Sequence, residues 1–309
     1  MLAAFCYQDR GTLLQGLHTG AALFYLATLC LLALVLAHPL YLAGLFLVLI
    51  LAITAAGART SWAAYMRAGV WLVALILLIN PLVSRAGETV LWQGPSLPVV
   101  GVLTISLEAV CFGAAMGLRL LVILSVFCLY NAIIHPDKAL SLLSRVLYRS
   151  VLVVALATRL LPAMVRRLAS IKEAQQMRGL DFAAGSLRKR VKNYSLLLNI
   201  LLLSSLEGAL ETAEAMQARG FGRGPRSRYQ RELLRPRDIC CFAGSGLALA
   251  AGVYAAAGGA AGFSYYPELA PLSVCFPRLL LLAVMLMGLL VPVALAWGWR
   301  RSCSLRSRI

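Results

Sequence analysis

Acidic residues are scarce in this sequence. Only 12 Asp and Glu stand against 29 Lys and Arg, and charged residues of both signs make up 13% of the 309 positions. A water-soluble domain carries about twice that share of charge, so an ordinary soluble globular protein is excluded. Histidine is limited to His18, His38 and His135. None of the eight cysteines belongs to a Cys-x-x-Cys pair or has a histidine at ligand spacing. No metal site and no disulfide framework follows from such a pattern. There is no Gly-Lys dipeptide, hence no phosphate-binding P-loop, and no Asp-x-x-Asp, His-Glu-x-x-His or Gly-x-Ser-x-Gly. Those absences leave no catalytic residue, metal or cofactor to assign.

What is present is hydrophobicity: 61% of the residues are hydrophobic and the mean hydropathy is +0.83. Apolar runs near or above the ~18 residues that mark a membrane span recur along the chain. The reading is an all-α polytopic membrane protein of about six transmembrane helices, with five possible. The spans run from about Ala21 to Ala37, Leu40 to Ala56, Ala68 to Val83, Ser106 to Ile134, Ile239 to Gly262 and Leu279 to Trp299. No basic stretch followed by a small-residue cleavage site precedes the first run, which is therefore expected to be a retained span. Residues 84–100 are rich in turn formers: Gly87, Gly94, Pro95 and Pro98 break any helix.

Cations are distributed unevenly. Residues 135–238 hold 19 of the 29 Lys/Arg and 8 of the 12 Asp/Glu, a net +11. Nucleic acid is a poor partner for this block, since no aromatic-interleaved basic motif occurs in it. Beside membrane spans the cytoplasmic leaflet is the natural counterpart. Arg59 and Arg67 between spans two and three, and Arg300, Arg301, Arg306 and Arg308 in the tail, fall on the same side. Both termini are therefore expected in the cytoplasm. The expected organisation is N-terminal transmembrane helices over 1–134, a cytoplasmic region over 135–238, and C-terminal transmembrane helices with a basic tail over 239–309.

Within the cytoplasmic third, Val151 to Leu161 and Tyr194 to Leu206 are apolar runs too short to cross a bilayer alone, and suit helices at the membrane interface. Pro162 suits the first turn of a helix through Met164, Leu168 and Ile171 to Met177. A second helix is expected from about Lys192 to Arg219, with Leu187-Arg188-Lys189-Arg190 as a basic turn between the two. Gly113/Gly117 and Gly258/Gly262 are small-x-x-x-small pairs of a kind that arises easily in so Gly- and Ala-rich a chain.

One pattern repeats 41 positions apart. Glu173-Ala174-Gln175-Gln176-Met177-Arg178-Gly179-Leu180 matches Glu214-Ala215-Met216-Gln217-Ala218-Arg219-Gly220-Phe221 at five of eight positions. A single Arg-Gly at a helix end reads as capping, with Arg complementing the negative pole and Gly taking the left-handed cap. Two matching copies in one compartment read as a pair of pegs, because a planar guanidinium suits bidentate contact with a carboxylate in a partner's groove. Arg119, well inside the fourth span, has two readings: a buried partner such as Glu108, or a side chain that snorkels.

These residues resemble the T component of energy-coupling factor (ECF) transporters, of the EcfT or CbiQ type. Residues 207–222, Glu-Gly-Ala-Leu-Glu-Thr-Ala-Glu-Ala-Met-Gln-Ala-Arg-Gly-Phe-Gly, resemble the second motif of that family, and Ala174–Gly179 the first, with Met177 where Ala is usual. Arg159-Leu160-Leu161-Pro162 is similar to the family's Arg-x-x-Pro, Arg119 sits where a family feature lies, and so does the turn His135-Pro136-Asp137-Lys138. Leu17-His18 is similar to a Leu-(Asp/His)-Pro signature, with Thr19 and Ala22 in place of its Pro and Lys. The resemblance implies a non-catalytic subunit in a bacterial or archaeal cytoplasmic membrane. Arg178 and Arg219, with Gly179, Gly220, Met177, Ala218, Glu173 and Glu214, would dock two ABC ATPase subunits, alike or different. Arg159, Pro162 and Arg119 would be structural or coupling residues. A membrane-embedded substrate-binding S component would complete an importer for a metal ion such as cobalt or nickel, or for a vitamin. The alternatives are a polytopic membrane enzyme, which needs acidic residues grouped near the interface, and a stand-alone carrier, which needs polar groups in several spans.

Overall fold

In the computed structural model, the described residues are 11–83, 89–97, 101–135, 138–139, 148–180, 182, 187–224, 233–266 and 276–301. The elements are α1 (Thr19–Val35), α2 (Pro39–Ala55), α3 (Arg59–Val83), β1 (Val90–Leu97), β2 (Gly101–Ser106), α4 (Leu107–Ile133), α5 (Tyr148–Met177), α6 (Leu187–Ala218), α7 (Pro236–Ala257) and α8 (Phe276–Arg301). The chain is a helical, multi-pass membrane protein. It divides into two compact units, residues 1–139 with 232–309, and residues 140–231.

The first unit is a bundle built around α1 and α2. These helices are apolar on all faces, which suits a helix enclosed by others. Leu29, Leu32, Leu42, Leu45, Leu49 and Ile53 are all buried. Around them, α1 packs on α7 and α4, α2 packs on α4 and α8, α3 pairs with α4, and α7 pairs with α8. Both central helices start on a histidine cap. His18 Nδ1 accepts from the Gly20 amide at 3.0 Å, and His38 Nδ1 accepts from the Leu40 amide at 3.3 Å with Pro39 in the first turn. At 17 residues each, α1 and α2 fall short of the length of a full span, and among the described residues five helical segments are long and apolar enough to cross, in α3, α4, α6, α7 and α8. That number agrees with the lower expectation, but its membership differs, because α6 replaces the central pair.

Several boundaries need correction. Arg59 and Arg67 belong to the first turns of α3 and not to a loop; the link from α2 is only Ala56-Gly57-Ala58, with Gly57 at φ 68°. Part of the turn-rich stretch pairs as an antiparallel ladder, β1 with β2, irregular between Gln93 and Ser96 where Gly94 and Pro95 fall. The Gly-x-x-x-Gly pair in α4 is a contact surface: a Cβ on Gly117 would stand 2.8 Å from Val73 Cγ1 of α3. At the α7–α8 contact, a Cβ on Gly244 would stand 2.7 Å from the Gly288 carbonyl oxygen, so the two backbones touch.

The second unit holds α5 and α6. Pro162 does not open a helix, because α5 is continuous from Tyr148 and carries Pro162 in its interior. The proline forgoes one backbone bond, to the carbonyl of Thr158, and its ring lies on an exposed face. Residues 187–190 are not a turn but the first turn of α6. Three cations there oppose the helix pole, yet neither Gly nor Pro occurs from Leu187 to Glu207 to interrupt the helix. The short apolar run 194–206 is thereby part of a 32-residue helix.

Candidate functional site

The two Arg-Gly ends share one backbone geometry, bond for bond. At the end of α5, the Gly179 amide donates to Gln176 O at 3.0 Å and the Leu180 amide to Gln175 O at 3.1 Å. At the end of α6, the Gly220 amide donates to Gln217 O at 2.9 Å and the Phe221 amide to Met216 O at 3.0 Å. Each is a Schellman closure with Arg at the cap position, Gly after it and an apolar residue next. Gly179 has φ 85° and Gly220 has φ 74°, the left-handed region that a Cβ disfavours. This explains the glycine at both ends from backbone geometry alone.

It does not explain the arginine. Arg178 and Arg219 are both exposed, as are Glu173, Met177, Glu214 and Ala218. Met177 is 92% exposed, an extreme value for a methionine. Neither guanidinium has a hydrogen bond or ion pair with a described residue. Each helix end therefore presents a cation and small or apolar neighbours outward from a fixed turn.

A crossing sets the reach of the two ends. Arg167 Nη1 of α5 donates to the Ser204 carbonyl of α6 at 3.1 Å, and Gly208 leaves room for that guanidinium, since a Cβ would stand 3.1 Å from Nη1. From Arg167 to Arg178 is 11 residues, and from Gly208 or Ser204 to Arg219 is 11 or 15. At 1.5 Å per residue both tips stand roughly 16–22 Å from the crossing. The sequence does not single out Arg167 among the cations of α5, because its partner is a backbone carbonyl 37 positions away. Nearer the link, Phe182 packs on Tyr194 with ring centroids 5.6 Å apart, and Gln175, Asn193 and Leu197 are buried.

The remaining expected residues lie apart. Arg159 and Pro162 are exposed on α5. Leu17-His18 begins α1, where the His18 amide donates to Asp238 Oδ1 at 3.0 Å. In the turn 135–138, Pro136 and Asp137 lie outside the described residues. Arg119 has a partner within the protein, but not Glu108. Glu108 is bound by Thr89, through the Thr89 amide at 3.2 Å and the Thr89 hydroxyl. Arg119 Nη2 donates at 2.9 Å to the carbonyl of Leu36, which ends α1. Beside it the Tyr265 hydroxyl donates to Ala37 O at 3.0 Å, and the Ala37 and His38 amides donate to Ala261 O at 3.2 and 3.0 Å. The short link between α1 and α2 thus has its polar backbone matched within the protein, as irregular backbone at membrane depth requires. A cation at a helix C-terminus also complements the pole. Among the described residues no group of three or more His, Cys, Asp or Glu is placed to hold a metal ion.

Fold and site together define a polytopic membrane protein that carries a pair of matched, cationic helix ends. The family profile of CbiQ, described as cobalt transport protein, matches residues 11–230, and the chain belongs to that family. It is similar to the energy-coupling factor transporter transmembrane protein EcfT of Acidaminococcus fermentans, with 28% identity over 177 residues, 53% of this chain and 62% of that protein. The protein of the same name from Listeria innocua is 28% identical over 182 residues, 55% of this chain and 66% of its own length. That of Bacillus subtilis is 24% identical over 180 residues, 55% and 65%. The chain spans just under two thirds of the length of each of these relatives.

Proposed function

We propose that this protein is the transmembrane coupling subunit of an ECF-type ABC importer. Arg178 and Arg219 each enter a carboxylate-lined groove of one of two ABC ATPase subunits, and closure of those subunits on ATP moves α5 and α6. The apolar faces of the same helices hold a membrane-embedded S component, which selects a metal ion or a vitamin; the family description names cobalt. ATP binding and hydrolysis belong to the partners. Residues 135–238 form the coupling region, and they and both termini face the cytoplasm, with α6 lying along the membrane interface although its length and composition would suffice to cross. The observation that carries this reading is the second, identical Schellman end with an exposed Arg that has no partner among the described residues. Capping alone accounts for Gly at each end but gives no reason for two matching guanidinium groups, each about equally far from one crossing.

The test is to isolate the chain from its native membrane in mild detergent and identify what comes with it. Two ABC ATPase subunits and one small integral membrane protein are the expected companions. A chain that purifies without any ATPase, yet retains transport in vesicles, would establish the stand-alone carrier instead.

A further inference from the structure

Residues 12–18, which precede α1, take no part in the matched helix ends, yet they tie together the ends of four helices of the first unit. Leu13, Leu14 and Leu17 are buried in its core and seat the segment. Gln15 Nε2 donates to the carbonyl of Ala132 in the last turn of α4, a buried bond of 2.8 Å. That carbonyl is one of the last four of its helix, which find no partner within the helix itself. Asp238, only 1% exposed, accepts from two backbone amides. Its Oδ1 takes the amide of His18, the cap of α1, at 3.0 Å, and its Oδ2 that of Arg235, the cap of α7, at 2.9 Å. One carboxylate thus serves the positive poles of two helices, where an anion is favoured. Arg237 Nη2 donates to Gly16 O at 2.7 Å, and its guanidinium stands 5.8 Å from the ring centroid of Trp299 near the end of α8.

Along the chain, these contacts flank both passages between the units. The first unit is left after Ala139 and resumed at Glu232. Ala132 lies seven positions before the first passage, and Asp238 six positions after the resumption. The helices that carry them, α4 and α7, each pack on α1, and residues 12–18 bridge their ends. We propose that Gln15 and Asp238 are positioning residues that clamp these two roots of the second unit, so that movement of α5 and α6 is passed to a partner and not absorbed by yielding helix ends. The inference rests on the coupling reading above. Removing either group leaves a buried backbone group without its partner and loosens the helix ends, while the core beneath them is untouched.

The test uses the chain assembled with its ATPase subunits and S component in vesicles, with uptake and ATP hydrolysis measured together. Gln15→Leu and Asp238→Ala are each expected to lower uptake per ATP hydrolysed by about threefold or more, with ATPase co-purification and hydrolysis retained. Asp238→Asn, which keeps the shape and one acceptor, should fall between Asp238→Ala and the wild type. Amide exchange should rise about tenfold or more over 15–20 and 235–240 and stay unchanged at Val73 and Gly117 of the α3–α4 contact. Normal uptake per ATP with this local exchange raised would overturn the positioning role. Exchange unchanged over 15–20 and 235–240, or raised equally at the α3–α4 contact, would overturn the clamp. A wild-type chain that carries no ATPase subunit would remove the coupling reading and this role with it, a result told apart because it needs no variant.

Discussion

The two units of this molecule differ in whether they enclose a core of their own. In the first, leucines of α1 and α2 are enclosed, and 28% of the apolar windows of both α4 and α7 is buried within the chain, although the peripheral α3 has only 6% buried. In the second, only 6% of the apolar window of α6 is buried, and Leu198, Leu202, Leu203, Leu206 and Leu210 are all more than half exposed. A bundle with its own core keeps its form without help. A helix pair with a row of bare leucines, each worth about 1.5–3 kcal/mol if covered, gains its environment from lipid or from another protein. The difference separates a scaffold from a surface made for contact, and it is open to attack from both sides.

The largest expected effect is on the second unit. Arg178→Ala with Arg219→Ala should abolish assembly with ATPase subunits, since each truncation leaves a desolvated carboxylate unpaired at a cost of about 2–5 kcal/mol. Either single change should leave partial assembly, because the second peg still grips. Pull-down of ATPase subunits measures both, and the thermal unfolding of the first unit should not move.

Next comes a change confined to the scaffold. Gly244→Val drives a side chain against the Gly288 carbonyl at the α7–α8 contact, and should destabilise the bundle by about 1–3 kcal/mol or more. A lowered unfolding temperature with ATPase affinity retained in the folded fraction is the expected pair of results. Arg119→Met should cost about 1.5–3 kcal/mol, the worth of a charged hydrogen bond, by leaving the Leu36 carbonyl without its donor. Unfolding followed by α1-specific hydrogen exchange would show the loss at that link.

A smaller effect sharpens the comparison. Gly220→Ala keeps Arg219 but places a Cβ at φ 74°, costing about 1–2 kcal/mol and fraying the end of α6. ATPase affinity should fall about tenfold, well short of the arginine truncation, and helix content should hardly change. The smallest effect is expected from neutralising Arg188, Lys189, Arg190 and Lys192 together. These lie in the first turns of α6, outside the matched ends, so membrane positioning should weaken while ATPase binding persists. A loss as large as that of Arg178→Ala would mean the gripping cations had been misplaced.

Much of this contrast is legible in the sequence, for local reasons. Pro39 in the first turn, Ser106 as the cap of α4, and glycine after Arg178 and Arg219 are signals that act within a few residues, and the structure places the helix ends there. What is not legible depends on other parts of the chain. The partner of Arg119 is a backbone carbonyl 83 positions away, and carbonyls leave no mark on residue identity. The α3–α4 contact at Gly117 looks like any glycine pair until Val73 lies against it. The continuity of α5 through Pro162 reverses a sound local preference, since one missing backbone bond is a small loss over 30 residues of helix. The ladder of β1 and β2 escapes because Gly94 and Pro95 read as breakers while they occupy an irregularity in the strand pairing.

The claim on which the rest depends is that the matched helix ends are pegs and not merely caps. The direct measurement is substrate uptake and ATPase co-purification by the Arg178→Ala/Arg219→Ala protein in reconstituted vesicles, with its fold monitored by helix content and unfolding temperature. The account predicts a folded membrane protein with neither bound ATPase nor uptake. A double variant that assembles with its ATPase subunits and transports at the wild-type rate would contradict it, and would reduce the paired motif to two well-capped helices.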